Sequence, residues 1–313
     1  MAGDDRSVPT GLNIGLAAAH LVLNLFQFFI LPLYLLPMSP WWALLLLLIA
    51  ASNNSFWSLI HEAIHDLFNP SLRVNEAVGR FLSVLFGSPF RLLRLSHLMH
   101  HTFNRTPQEA TGVYDPQETS MSRAGIGYYG QILGGLFLLE ALSPLLFYLP
   151  RRLLGRIEQS VAKRSSLNGW LVRNLMKDNG VSQIRKDYTL ILSFFALSVV
   201  CYGKYWVLLV FILLSRGFLI SFLDNVYHYR TPVNDVPYAL NLRLPYFISK
   251  ILLYFNLHGI HHDDPTIPWI HIPQFFALDK EQFGGIFFTE ALAQLAGPIP
   301  ISELPESRSI VTT

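Results

Sequence analysis

Eleven histidines occur in the 313-residue sequence, and nine of them fall into four tight clusters. His61 and His65 stand in His-Glu-Ala-Ile-His, and His97, His100 and His101 form His-x-x-His-His. His228 closes Asp-Asn-Val-Tyr-His, and His258, His261 and His262 form a second His-x-x-His-His. Only His20 and His271 stand apart. Residues three and four apart share a helix face, so the spacings 61/65, 97/100/101, 224/228 and 258/261/262 each aim several ligands in one direction. Imidazole suits iron, zinc and copper. The single cysteine, Cys201, excludes an intramolecular disulfide and any cysteine-based zinc or iron–sulfur site. Nine imidazoles exceed the needs of one tetrahedral metal, which takes three or four protein ligands. They fit two metals of higher coordination number with positions left open for O2.

Two other chemistries compete for part of this pattern. His61-Glu62-x-x-His65 matches the zinc-protease motif, with Glu62 as general base, and an intramembrane zinc protease is the rival enzyme class. It leaves seven clustered histidines unexplained. A metal or haem transporter would spread its ligands along a translocation path, whereas these gather at one membrane face.

The elements that must position the histidines are membrane helices. The sequence is 51% hydrophobic and only 14% charged, against about a quarter charged in soluble domains. A helix needs about 20 mostly apolar residues to cross the hydrocarbon core. The segments 13–36, 41–60, 188–203 and 204–223 meet that need and predict four transmembrane helices, paired as two hairpins by the short turns 37–40 and 201–204. Trp41, Trp42, Tyr202, Tyr205 and Trp206 gather at those turns, as an interfacial aromatic belt does. A fifth apolar stretch, 126–149, contains Gly134, Gly135, Glu140 and Pro144. A full crossing there would put the early and late histidines on opposite membrane faces, so it is read as interfacial or re-entrant, broken near Pro144. The segment 151–186 carries nine Lys or Arg against Glu158 and Asp178. The positive-inside tendency puts it, both termini and every histidine cluster on the cytoplasmic side. Met1–Thr10 has no basic n-region, so no cleaved signal peptide is expected. The expected fold is a single all-α integral membrane domain over 1–313: four spans with a cytoplasmic helical cap that supplies most of the ligands.

Polar residues inside spans face the bundle interior. Asn54, Ser58, His61 and His65 lie on one helical face, with Asn53 and Trp57 alongside, and His20, Asn24 and Gln27 repeat the spacing in the first span. The seam is either interhelical hydrogen bonding, worth about 0.6–2 kcal/mol per contact, or the border of a substrate tunnel through Asn54, Trp57 and Ser58.

The order His61-x-x-x-His65, His97-x-x-His100-His101, His228, His258-x-x-His261-His262, with helical hairpins between, resembles the membrane fatty-acid desaturase and hydroxylase superfamily over roughly residues 12–272. The run Asn256-Leu-His-Gly-Ile-His-His-Asp-Asp-Pro-Thr-Ile-Pro-Trp269 is especially like bacterial members, which implies a bacterial inner membrane. The resemblance implies two iron ions held by all nine clustered histidines, with O2 as co-substrate and a fatty-acyl or lipid C–H bond as target. The outcome is desaturation or, on the same kind of site, hydroxylation, carotenoid ketolation or hydroxylation, or oxidative decarboxylation of a fatty acid to a terminal alkene. Where stearoyl-CoA desaturases place a water-holding Asn four residues before the lone histidine, this chain has Asp224, with Asn225 beside it; either is a candidate direct or water-mediated ligand. Glu62, Asp66, Glu109, Asp115, Asp263 and Asp264 neighbour the clusters and are candidates to orient imidazoles through the second ring nitrogen. No His-Pro-Gly-Gly cytochrome b5 motif is present, so electrons are expected from a separate ferredoxin, rubredoxin or cytochrome b5-type protein with its reductase. Arg164, Arg173 and Lys177 in the basic segment are expected to help dock that donor. Nucleic acid is not among the expected partners.

Overall fold

The computed structural model describes residues 6–278 and 281–307; the first five residues, on which the signal-peptide reading partly rests, lie outside these. The chain is mainly helical and divides into two compact units, one of residues 9–96 and 137–220, the other of residues 1–8, 97–136 and 221–313.

The first unit holds the most apolar helices. Helix α1 (Thr10–Met38) and helix α2 (Pro40–Ile64) are each long and apolar enough to cross a membrane. α1 winds as a π-helix from Phe26 to Leu35 around Pro32, where the missing proline N–H breaks the ordinary i to i−4 ladder. Helices α3 (Leu72–Phe86) and α4 (Phe90–Phe103) follow; α4 carries the first His-x-x-His-His and enters the second unit at His97. The candidate span Gly180–Tyr227 consists of α9 (Gly180–Tyr202) and α10 (Trp206–Asp224), separated at Gly203, where φ is +45°. The core of this unit is Phe28, Leu31, Leu36, Leu46, Ile49, Tyr202, Leu209 and Ile212. Leu48, Val200 and Leu214 are 73, 75 and 68% exposed on the outer faces of the same helices. Helices apolar both inside and out belong in a bilayer.

One strongly polar group lies inside this apolar unit. Arg216, in the middle of α10, is 1% exposed. Its Nε donates to Asn53 Oδ1 (2.8 Å), one terminal nitrogen to the carbonyls of Leu85 (2.9 Å) and Phe86 (2.8 Å), and the other to Asn24 Oδ1 (3.1 Å). Among the described residues no carboxylate pairs with it. Four neutral acceptors on three other helices satisfy the guanidinium, as a bilayer interior demands of any polar group.

The apolar stretch 126–149 lies within a helical run, Met121–Tyr148, that also qualifies as a candidate span by length and composition. The break expected near Pro144 is present as a change from α-helix to 3-10 turn at Ser143, and a second interruption precedes it. Helix α5 (Met121–Gly130) ends in a kink at Leu133 (φ −84°, ψ 16°) and Gly134 (φ +128°), and α6 (Leu136–Leu142) follows. A Cβ on Gly135 would meet the Gly130 carbonyl at 2.2 Å, so the glycine pair is what allows this kink. Pro144 sits near the start of the 3-10 turn Ser143–Tyr148, a position where the missing N–H costs no hydrogen bond. Beyond it, α7 (Arg151–Arg164) and α8 (Ser166–Met176) pack together in the first unit.

In the second unit, short helices and loops surround the later histidines. α11 (Tyr246–Ile251), α12 (His258–Asp263), α13 (Ile272–Leu278) and α14 (Phe287–Ala293) are tied by two parallel strand pairs. β1 (Val113–Tyr114) pairs with β4 (Ile299–Pro300), and β2 (Leu242–Arg243) with β3 (Gly285–Ile286). Tyr128, Ile132, Phe222, Val226, Tyr227, Tyr229, Leu242, Phe287 and Ala291 form its apolar core.

Candidate metal centre

His61 sits in the last turn of α2 and His65 at its C-cap, their rings 4.7 Å apart. The buried Asn75 ends this helix: its amide donates to the Ala63 carbonyl (2.7 Å) and its oxygen accepts from the Phe68 N–H (3.1 Å). The chain turns there through Asp66, at φ +62°. These residues belong to the first unit, and the remaining seven clustered histidines to the second.

In the second unit each His-x-x-His-His motif divides between two groups. His97, His101 and His261 converge, with His101 Nε2 lying 3.0 Å from both His97 Nε2 and His261 Nε2. His100 joins His228, His258 and His262, its Nε2 3.2 Å from His228 Nε2, and all four donor nitrogens lie within 4.8 Å of one another. The expectation that each motif aims in a single direction is therefore corrected. On a helix of 3.6 residues per turn, positions i and i+4 diverge by about 40°, whereas i+3 lies about 100° from i+4. The i/i+4 pair serves one group and the i+3 histidine the other, in both motifs.

Local packing fixes these side chains. The short helix α12 begins against Asn241, whose Oδ1 accepts the Ile260 N–H at 3.2 Å, supplying an end-of-helix partner. A Cβ on Gly259 would lie 2.7 Å from the Ala239 carbonyl, so only glycine permits this approach. Asn256 donates to the Leu242 carbonyl at 2.7 Å and anchors the segment entering α12. The His258 ring packs against Tyr227 (4.7 Å) and Phe255 (4.6 Å). His228 caps a 3-10 turn, Asn225–Tyr227, that follows α10. Asp224 and His228 therefore do not share an α-helical face, contrary to the spacing argument.

The orienting carboxylate is Glu109, whose Oε1 lies 2.6 Å from His100 Nδ1. That contact assigns the ring proton to Nδ1 and turns the Nε2 lone pair toward His228. Burial opposes a charge on His100, but the Glu109 carboxylate, its hydrogen bond and the more distant Asp224 outweigh it and raise the pKa, so a metal binding at Nε2 competes with a proton there. Burial and the surrounding imidazoles hold His228 well below the usual histidine range, in the neutral form a ligand requires.

Three of the other expected carboxylates have partners elsewhere. Asp66 accepts from Asn75 and pairs with Arg94, and Asp115 accepts the Gln117 N–H of its own turn; neither orients an imidazole. Asp264 pairs with Arg6 (2.6 Å) and accepts from Thr266. Glu62 is buried beside His61, and Asp263 is exposed at the end of α12. Asn225 donates to Gln294 Oε1 at 2.9 Å, and Gln294 in turn donates to the Phe222 carbonyl. The Asn225 amide nitrogen is engaged by this contact, and Asp224 influences His100 electrostatically. The two isolated histidines have other neighbours: His20 stacks on Phe56 at 4.8 Å, and His271 Nε2 lies 3.0 Å from the Ser7 carbonyl.

The polar seam also divides. Asn24 and Asn53 bond Arg216, Gln27 donates to Asn24, and Ser58 Oγ donates to the Asn54 carbonyl on its own helix. Trp57 stacks on Phe86 (5.7 Å) and approaches His61 (6.3 Å). Of the basic residues, Arg173 pairs with Glu158 at 2.7 Å and Lys177 donates to Asn174; Arg164 is exposed at the end of α7.

The two groups suit metal ions. Metal–imidazole bonds are about 2.0–2.1 Å, so two ligand nitrogens at right angles about one ion lie roughly 3 Å apart. The closest N···N separations are 3.0–3.2 Å. A proton cannot account for the first group, because one N–H on His101 serves only one of its two neighbours. All-imidazole donors without thiolate fit iron, zinc or copper.

The chain is mainly helical, with helices long and apolar enough to span a membrane and two groups of converging histidines that could hold metal ions. The family model described as fatty acid desaturase matches residues 39–288, which contain all nine clustered histidines, and the chain belongs to that family. Among curated proteins, none matches the chain.

Proposed function

We propose that this protein oxidises an aliphatic C–H bond of a fatty-acyl or lipid substrate with O2, the product being an alkene. The observation that carries this reading is the convergence of His100, His228, His258 and His262 beside that of His97, His101 and His261. With His61 and His65, the nine motif histidines are taken to hold two iron ions, as membership of the desaturase family suggests. Bound there, iron supplies reductive activation of O2. Desaturation balances as one O2, two electrons and two protons consumed, two substrate hydrogens removed and two waters released.

The chain's own residues contribute placement. Glu109 keeps His100 in the tautomer with an available Nε2. The Tyr227 and Phe255 rings fix His258 and exclude water around it. Asn54, Trp57 and Ser58, on the helix that ends at His61, are proposed to border the acyl chain. The zinc-protease reading accounts only for His61, Glu62 and His65. The family match gives no role to that chemistry.

In this reading α1 with α2, and α9 with α10, form two hairpins in one membrane domain, and the kinked α5–α6 run lies at the interface. The termini and the histidine cap face the cytoplasm, supported by the basic segment 151–186. A separate ferredoxin, rubredoxin or cytochrome b5-type protein delivers electrons and docks on exposed cations including Arg164, Arg173 and Lys177.

The test is mass spectrometry of lipids and volatiles from cells expressing the protein, against a His261→Ala control. Loss of two hydrogens from an acyl chain is expected. Gain of an oxygen, an oxidised carotenoid or a terminal alkene would reassign the outcome on the same site, and identical profiles would overturn the reading. For the donor, reversing Arg164, Arg173 and Lys177 to Glu should slow donor-dependent turnover and remove its salt sensitivity. Turnover with a small chemical reductant should not change. Equal donor-dependent rates at low salt would assign the segment to membrane headgroups instead.

A further inference from the structure

We infer that Arg105, four residues beyond His101, is the positioning residue that holds the His100–His228–His258–His262 group in register, selectively over the other histidine group. The inference rests on the metal reading above and adds a residue no motif marks.

Arg105 is 1% exposed and adopts φ +57°, a backbone conformation that a non-glycine residue keeps only when its surroundings over-determine it. The determinants are visible. Nε donates to the Pro232 carbonyl (3.2 Å), one terminal nitrogen to the Thr111 carbonyl (3.2 Å) and the other to the Thr231 carbonyl (2.6 Å). Its own carbonyl accepts the Asn234 N–H at 2.8 Å. The side chain thereby clamps two loops that each govern one ligand. The loop reaching Thr111 contains Glu109, which holds His100. The loop 231–234 begins at Thr231, whose hydroxyl donates to the His228 carbonyl at 2.7 Å. Both ligands so governed, His100 and His228, belong to the same group.

The chemistry requires arginine. Three diverging carbonyls need a planar fork with donors on all three nitrogens, whereas a lysine ammonium offers one point of attachment on a flexible stem. Burial lowers the guanidinium pKa to about 10, with Glu109 acting in the opposite sense. It stays cationic at neutral pH, and its charge steadies the carboxylate that orients His100.

The test uses the full-length, iron-loaded protein in detergent. Iron per chain is counted, and release of iron to a chelator is followed in wild type, Arg105→Lys and Arg105→Met, with thermal midpoints recorded for each. His100→Ala and His97→Ala assign the release phases to the two groups. Wild type is expected to carry two irons per chain. Arg105→Lys should release the iron assigned by His100→Ala at least about 10-fold faster, the scale of lost outer-sphere support, with the other phase unchanged. Adding Glu109→Gln to Arg105→Lys should accelerate that phase by less than the product of the single effects. Where Arg105→Met fails to fold, Arg105→Lys carries the test. Two unchanged phases, or equal acceleration of both, would overturn the inference while leaving the metal reading intact. Wild-type protein without two irons per chain would overturn the metal reading, and this inference with it.

Discussion

Glu109 Oε1 lies 2.6 Å from His100 Nδ1, and this is the contact that decides which nitrogen of His100 faces the other imidazoles. A glutamine keeps the shape but loses the charge, so Glu109→Gln should weaken metal binding at the His100 group by about 10–100-fold. Metal titration of the purified protein measures this, and wild-type affinity in the variant would remove Glu109 from the site.

Adjacent histidines should behave as members of different sites. His100→Ala and His262→Ala are expected to lose the same one of two bound metals, and His97→Ala and His261→Ala the other. The check is metal content together with the spectrum of the ion that remains. Identical residual spectra in His100→Ala and His97→Ala would contradict the division of the motifs.

Arg216 should matter for stability more than for chemistry. Asn53→Leu removes a charged hydrogen bond of 2.8 Å and should cost about 1.5–3 kcal/mol, read as a lower unfolding midpoint in detergent, with iron per folded chain unchanged. An unaltered midpoint would mean that the guanidinium finds another partner.

The two isolated histidines should prove dispensable for metal. His20→Phe keeps the stack on Phe56, and His271→Ala loses one contact with the Ser7 carbonyl, worth about 0.5–1.5 kcal/mol. Both variants should retain wild-type iron content by elemental analysis. Loss of iron in either would enlarge the ligand set.

The histidine chemistry was legible because side-chain type and repeated spacing survive without a fold. His97, His100 and His101 do share one helix, but spacing was read only as a common face, and the 100° between neighbours sends His100 away from His101. Asp224 and His228 looked like a helical pair because their separation is four. Their helix changes to 3-10 at Asn225, which spacing does not reveal. Proline marks the break near Pro144, where α-helix gives way to a 3-10 turn, but the kink made by the positive φ of Gly134 carries no comparable signal. Glu109 was one of six nearby acids in the sequence. Only the contacts show that Asp66, bonded to Asn75 and Arg94, and Asp115, bonded within its own turn, are committed elsewhere. Arg216 went unremarked because a single cation barely alters the hydropathy of α10, although Asn24 and Asn53, two of its acceptors, were already noted as polar positions inside spans.

Arg216 also bears on the order of biosynthesis. An arginine at the centre of a lone helix adds about 2.5–3.5 kcal/mol to the cost of entering the bilayer through the translocon. Its acceptors Asn24, Asn53, Leu85 and Phe86 are all synthesised more than a hundred residues earlier. The N-terminal helices can therefore wait in the membrane as a receptor for α10, and α10 can leave the translocon into neighbours that already solvate its charge. Defects at Asn24 or Asn53 would then surface during insertion, as chains cleared by quality-control proteases before any catalytic fault could be measured.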